Sequence, residues 1–166
     1  MPSTRLKHES PQVVKSVLNP ADVTPRVGTI YPAPYDRELQ GRAKRVLGDA
    51  FGLTQYGVNL TTLPPGCWSS HRHWHELEDE FIYVTSGEVT LIDDLGEHVL
   101  TTGMCAGFKA GIPNGHHLVN KTSATATYLE IGSRMPGERS HYPEADMTGH
   151  KTESGWKITR RDGSAF

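Results

Sequence analysis

His73 and His75 stand one residue apart in the run His71-Arg72-His73-Trp74-His75, and Glu80 follows at the head of Phe81-Ile82-Tyr83-Val84. Residues i and i+2 point to one side when the backbone is an extended strand. The pair therefore asks for a sheet. Glu80 can then arrive from the start of the next strand, and a histidine of Gly111-Ile112-Pro113-Asn114-Gly115-His116-His117-Leu118-Val119-Asn120 can close the set from a distant one. Three imidazole nitrogens and one carboxylate oxygen at one point suit a first-row divalent metal with open positions. Burying four such groups with no partner would be costly, and a metal removes that cost.

The surrounding chain keeps the same rhythm. From about Ala43 to Ile131, short β-prone runs alternate with turn residues. Strands are expected at Arg45–Gly48, Gln55–Leu63, Trp68–His75, Glu80–Thr85, Glu88–Ile92, Glu97–Leu100, Met104–Phe108, His116–Asn120 and Ala124–Ile131. Ser86-Gly87 and Asp93-Asp94-Leu95-Gly96 read as the turns between consecutive strands. Many short strands at this spacing mean an all-β sandwich or barrel, and the spacing alone does not choose between them.

The flanks read differently. Residues 1–45 carry Pro2, Pro11, Pro20, Pro25, Pro32 and Pro34, which rule out a long helix and suggest an extended arm with short strands at Pro11–Leu18 and Val27–Tyr31. A helical turn fits only in Arg37–Leu47. The arm leaves no room for the two uninterrupted helices of a helix-turn-helix. Residues 132–166 read as a tail that packs on the barrel and ends in a strand at Trp156–Thr159. The central 46–131 is then the barrel proper.

Composition narrows the partners. A net charge of -2 gives no electrostatic pull toward nucleic acid or an anionic membrane. No apolar run approaches the roughly 20 residues a spanning helix needs, and MPSTRLKHESPQ has no apolar core of a secretory signal. Cys67 and Cys105 form no Cys-x-x-Cys pair and read as reduced thiols of a cytoplasmic protein.

Gly66, six residues, His73-Trp74-His75, four residues, Glu80, six residues and Gly87 resemble the first motif of the cupin superfamily, which runs Gly, His-x-His, Glu, Gly. Gly103, Gly111, His116 and Asn120 keep the order of its second motif. Two departures stand out: Lys109 occupies the place of a family proline, and four residues separate Gly111 from His116, more than the family has. The resemblance covers roughly residues 56–131. It implies a double-stranded β-helix (jelly-roll) barrel in a single cupin domain, with one divalent transition metal per chain (Fe, Mn, Ni or Zn) on His73, His75, Glu80 and His116. It also implies a small-molecule pocket inside the barrel, and a metal-dependent dioxygenase, isomerase, decarboxylase or lyase acting on a small polar organic compound. The alternative is a cupin that binds or senses such a compound without turnover.

Several side chains have competing readings. His116 and His117 are adjacent, so only one faces inward on a regular strand. The spacing to Asn120 favours His116, while a bulge at Asn114-Gly115 would favour His117. His71 shares the parity of the metal pair: one reading adds it to the ligand set, and the favoured one places it at the barrel mouth, touching substrate or solvent. Glu76, Glu78 and Asp79 read as a solvated turn. If Glu80 points inward, Ile82 and Val84 do so as well, and Phe81, Tyr83 and Trp74 form an outward aromatic patch of the kind that marks a homodimer interface. Cys105 reads as a buried small hydrophobe. Tyr83, Tyr128, Glu130 and His71 are candidates for a general acid or base.

Overall fold

The computed structural model describes residues 16–166. In chain order the strands are β1 (Arg26–Val27), β2 (Ala43–Val46), β3 (Tyr56–Leu63), β4 (Trp74–His75), β5 (Glu80–Ser86), β6 (Glu88–Asp93) and β7 (Gly96–Thr101). They continue as β8 (Cys105–Phe108), β9 (His117–Val119), β10 (Ala126–Ser133), β11 (Arg139–His141), β12 (Thr148–Thr152) and β13 (Gly155–Thr159). The only α-helix among the described residues is α1 (Leu47–Ala50), a single turn.

One sheet runs β1-β2-β3-β10-β5-β8, a second β7-β6-β9 and a third β13-β12-β11-β4, and every pairing is antiparallel. Isolated bridges Trp68 to Val119 and His73 to His116 tie the segment before β4 to β9 and its approach. The result is a jelly-roll barrel. On β5 the side chains alternate: Ile82 and Val84 are buried, while Phe81 and Tyr83 keep 42% and 41% of their surface. The inward pair joins Leu63, Val89, Leu91 and Tyr128 in the barrel core, whose burial is the main force closing the two sheets on each other. Gly87 carries the β5–β6 turn at φ 76°, and a Cβ there would come within 2.9 Å of Thr125 O, so both conformation and space require glycine.

Several expected strands are shorter or replaced. Trp68–His75 is a strand only at Trp74–His75, because Ser69 Oγ takes the Leu118 N–H and the chain bends between its two bridges. Arg45–Gly48 divides into the end of β2 and the start of α1. A Cβ at Gly48 would lie 2.9 Å from Val58 N, so the turn packs flat against β3. Val27–Tyr31 reduces to β1, and Arg37–Leu39 forms one 3-10 turn. Of the strand expected at Pro11–Leu18, residues 11–15 lie outside the described residues, and 16–18 form no regular structure.

The C-terminal segment holds three strands where one was expected. β11 and β12 read Arg-Ser-His and Thr-Gly-His-Lys-Thr, with no apolar alternation to betray them. Tyr142, Ala145 and Met147 form a second small core there, against which Tyr31 and Tyr35 of the N-terminal arm pack. No helix among the described residues is long and apolar enough to cross a membrane.

Candidate metal centre

The site is built by three short pairings. The residue before β4, His73, pairs with His116: His73 N donates to His116 O at 3.2 Å, and His116 N to His73 O at 2.9 Å. Directly opposed residues on an antiparallel pair present their side chains to the same face, and the two rings lie 5.3 Å apart. His75, two residues on, shares that face and is held by Ser140 of β11. Glu80 opens β5, opposite Phe108 of β8 and Gly132 of β10.

Donor atoms of His73, His75 and Glu80 all lie within 4.8 Å of one another. That is close to twice a metal–ligand bond of about 2.1 Å. His116 adjoins the trio through Glu80, with Nε2 3.2 Å from Oε2. The distance from His75 Nε2 to the same oxygen is 3.7 Å.

Each imidazole is oriented from behind. His73 Nδ1 donates to His71 O at 2.9 Å, His116 Nδ1 to Asn114 O at 3.1 Å, and His75 Nδ1 to Glu138 Oε1 at 3.2 Å. A hydrogen on Nδ1 turns Nε2 of each ring toward the cluster, where His116 Nε2 donates to Glu80 Oε2 through a proton that an ion would replace, and such partners also raise ligand basicity. Phe108 stacks face to face on His116 at 3.5 Å, and Tyr142 stacks on His73 at 5.6 Å.

Electrostatics favour the binding-competent forms. Burial, reinforced by the nearby His75 and His116, holds His73 well below the usual imidazole range and so neutral. Burial alone would push the Glu80 carboxyl up. The hydrogen bond from His116 and the electrostatic influence of the neighbouring imidazoles reverse this and bring it down to about 2. Neutral imidazoles around an ionised carboxylate are the protonation state a divalent ion needs. Donor chemistry, tautomers and charge all fit a metal.

His117 and His71 lie elsewhere. His117 is buried, donates from Nδ1 to Ser70 O at 2.9 Å and meets the Trp68 ring edge-on at 4.7 Å. His71 is half-buried: its Nε2 reaches Tyr35 O at 2.7 Å, and Tyr31, Tyr35 and Trp68 surround its ring. Trp74 likewise leaves the expected outer patch and stacks on His141 at 4.4 Å. Cys105 is exposed, since β8 is a sheet edge and Cys105 pairs with the outward Tyr83. Of the acidic turn, Glu78 is buried, held by Lys151 and by the Met135 N–H at 2.7 Å.

Beside the ligands is a cavity of about 130 Å³ whose lining includes Trp74, His75, Phe108, Lys109, Ile112 and His116. None of Tyr83, Tyr128, Glu130 or His71 lines it. Tyr83 points outward, Tyr128 is sealed in the core, and Glu130 pairs with Lys44 at 2.7 Å and Asn59 at 3.0 Å. Sequence reasoning missed Glu138, Tyr142 and Phe108. Nothing marks Glu138 among 19 acidic residues, because its role depends on β11 returning beside β4.

The family model of the cupin domain matches residues 59–132. Among solved structures, the chain is 46% identical to a sugar phosphate isomerase of a cupin superfamily from Silicibacter pomeroyi DSS-3, with 90% of this chain and 96% of that one covered and a TM-score of 0.86. A protein provisionally named a sugar phosphate isomerase, from Acidithiobacillus ferrooxidans, is 29% identical over 73% of this chain and 77% of its own, with a TM-score of 0.66. A polyketide cyclase from Streptomyces resistomycificus shares the fold at 20% identity, 72% and 79% coverage and a TM-score of 0.58. No curated protein matches the chain.

Proposed function

The chain belongs to the cupin superfamily, and from that premise we propose that it is a metal-dependent isomerase of a phosphorylated sugar. Its metal would be one divalent ion (Fe, Mn, Ni or Zn), held by His73, His75, Glu80 and His116. The observation that carries the reading is the cage itself: three oriented imidazoles and one ionised carboxylate beside a small cavity. The likeness to the Silicibacter isomerase, which extends over nearly all of both chains, supports the choice among cupin chemistries.

A divalent ion there would supply Lewis-acid polarisation of a carbonyl and its neighbouring hydroxyl oxygen. The protein does the rest by position. Glu138 and the carbonyls of His71 and Asn114 hold the three imidazoles by Nδ1 so that Nε2 of each is aimed into the cluster. Trp74 and Phe108 give the cavity flat apolar walls against which a carbon skeleton can lie. Moving a hydrogen between adjacent carbons of a hydroxycarbonyl compound is redox-neutral, so the reaction requires no second substrate.

The test is elemental analysis after anaerobic purification, followed by NMR of aldose and ketose phosphates with metal-loaded protein in D₂O. Isomerisation, or deuterium exchange next to the carbonyl, is the expected result. Tight metal binding with neither reaction on any such sugar would leave a non-catalytic binder and overturn the isomerase reading.

The reading extends to a homodimer of a cytoplasmic protein. The outward row Phe81, Ile131 and Val58 lies beside a second row, Tyr83, Leu129 and Leu60, across three paired strands. An apolar sheet face of this kind is suited to a second copy. Both cysteines are free, as a reducing compartment would keep them.

A further inference from the structure

Lys109 is one of the two departures from the second motif, and the structure gives it a setting. It lines the cavity beside the metal ligands together with Glu78 and Asn114. The backbone around it is tied to the cage: Gly111 N donates to His75 O at 2.9 Å, and Ala110 N to Asp79 Oδ1 at 2.8 Å. The Trp74 side of the lining is fixed as well, since Trp74 stacks on His141, which bonds Glu76 at 2.6 Å.

The charges on this wall are then accounted for one by one. Glu78 is neutralised by Lys151. Asn114 is occupied by the Asp94 N–H at 2.9 Å and by Asp93 at 3.3 Å. Lys109 is then the one ionic side chain on the lining with no hydrogen-bond or ion-pair partner among the described residues. Lys109 is exposed, and an ammonium beside a partly apolar cavity that His75 and His116 also line selects for a ligand with a negative charge at one end and oxygen donors at the other.

We propose that Lys109 is the specificity residue that receives the anionic group of the substrate, a phosphate monoester on the isomerase reading, upon which this inference rests. Lys109 thereby sets the class of compound admitted, while the cage sets the chemistry.

The experiment titrates metal-loaded protein calorimetrically with sorbitol 6-phosphate, which has no carbonyl and cannot turn over, and with uncharged sorbitol. Wild-type protein should bind the phosphorylated polyol at least ~10-fold more tightly, as a charge-assisted bond predicts. Lys109→Gln should lose most of that preference while keeping its affinity for sorbitol, its metal content and its melting temperature. Lys109→Arg should restore most of it. A Lys109→Gln protein that keeps its metal and binds the phosphate as tightly as wild type overturns the inference, as does a metal-loaded wild type with no preference for the phosphorylated polyol. Wild-type protein that takes up no metal counts instead against the isomerase reading. In that case inorganic phosphate titrated into the same metal-free protein still decides the role of Lys109: binding lost in Lys109→Gln supports it, and binding unaffected by the change overturns it.

Discussion

Glu138 Oε1 accepts the Nδ1–H of His75 at 3.2 Å, and the carboxylate is buried with only 1% of the residue exposed. The same side chain also receives the Glu76 N–H at 3.0 Å and the Leu77 N–H at 2.7 Å, so one residue sets both the ring of a proposed ligand and the turn after it. It comes from the segment just before β11, beyond the region that carries the family motifs. Glu138→Gln keeps the shape and removes the charge. It should weaken metal binding roughly 10–100-fold, the usual effect of losing such a partner, with a smaller change in the melting temperature of metal-free protein. Competition with a chelating dye checks this, and unchanged affinity would reduce Glu138 to a loop anchor.

The ligand assignment separates neighbouring histidines. His75→Ala and Glu80→Ala should abolish tight metal binding, whereas His71→Ala should weaken it little, because His71 is engaged by Tyr35 O. Likewise His116→Ala should cost far more affinity than His117→Ala, whose ring packs on Trp68. Metal content per chain after dialysis reads all five. Loss of metal in His71→Ala or His117→Ala equal to that in the partner variant would show that the wrong histidine had been chosen.

The dimer prediction rests on the two apolar rows of the outer sheet face. Light scattering at micromolar concentration should give twice the chain mass, and Phe81→Lys with Tyr83→Lys should give the monomer. Like charges brought together across an isologous face repel. A wild-type monomer at that concentration would refute the interface.

Protons should compete with the metal in a defined window. His73 is held below its ordinary value of about 6.5 in the folded protein. A depressed value means that the unfolded chain binds the proton more readily, so metal-free protein loses stability as pH falls below about 6.5 and on toward the folded value. Glu80, depressed to about 2, is ionised above roughly pH 4.5 and does not limit binding there. Metal-loaded protein should therefore melt higher than metal-free protein at pH 8, and the gap should narrow as the pH is lowered toward 4.5, because protons compete with the ion for the ring nitrogens. Paired melting curves across that range are the check, and a constant gap would mean that the ion is not held by histidine.

The residues of the cage were legible in the sequence because their spacing is a local property of strands. His73 and His75 share a face in any extended segment, and the alternation from Glu80 to Val84 carries the barrel interior with it. Turn glycines such as Gly87 marked where the runs reverse. What lay beyond the sequence was everything that depends on which strand returns beside which. Which of His116 and His117 lies beside His73 depended on a bridge from His116 to His73, and His71 is surrounded by aromatic residues of an arm some 40 positions earlier. The polar strands β11 and β12 have no periodicity to announce them, yet they bring Glu138 behind His75 and Ser140 beside it. Periodicity reports which way a side chain faces within its own strand. The partner it faces is chosen by long-range pairing, a property of the folded chain as a whole.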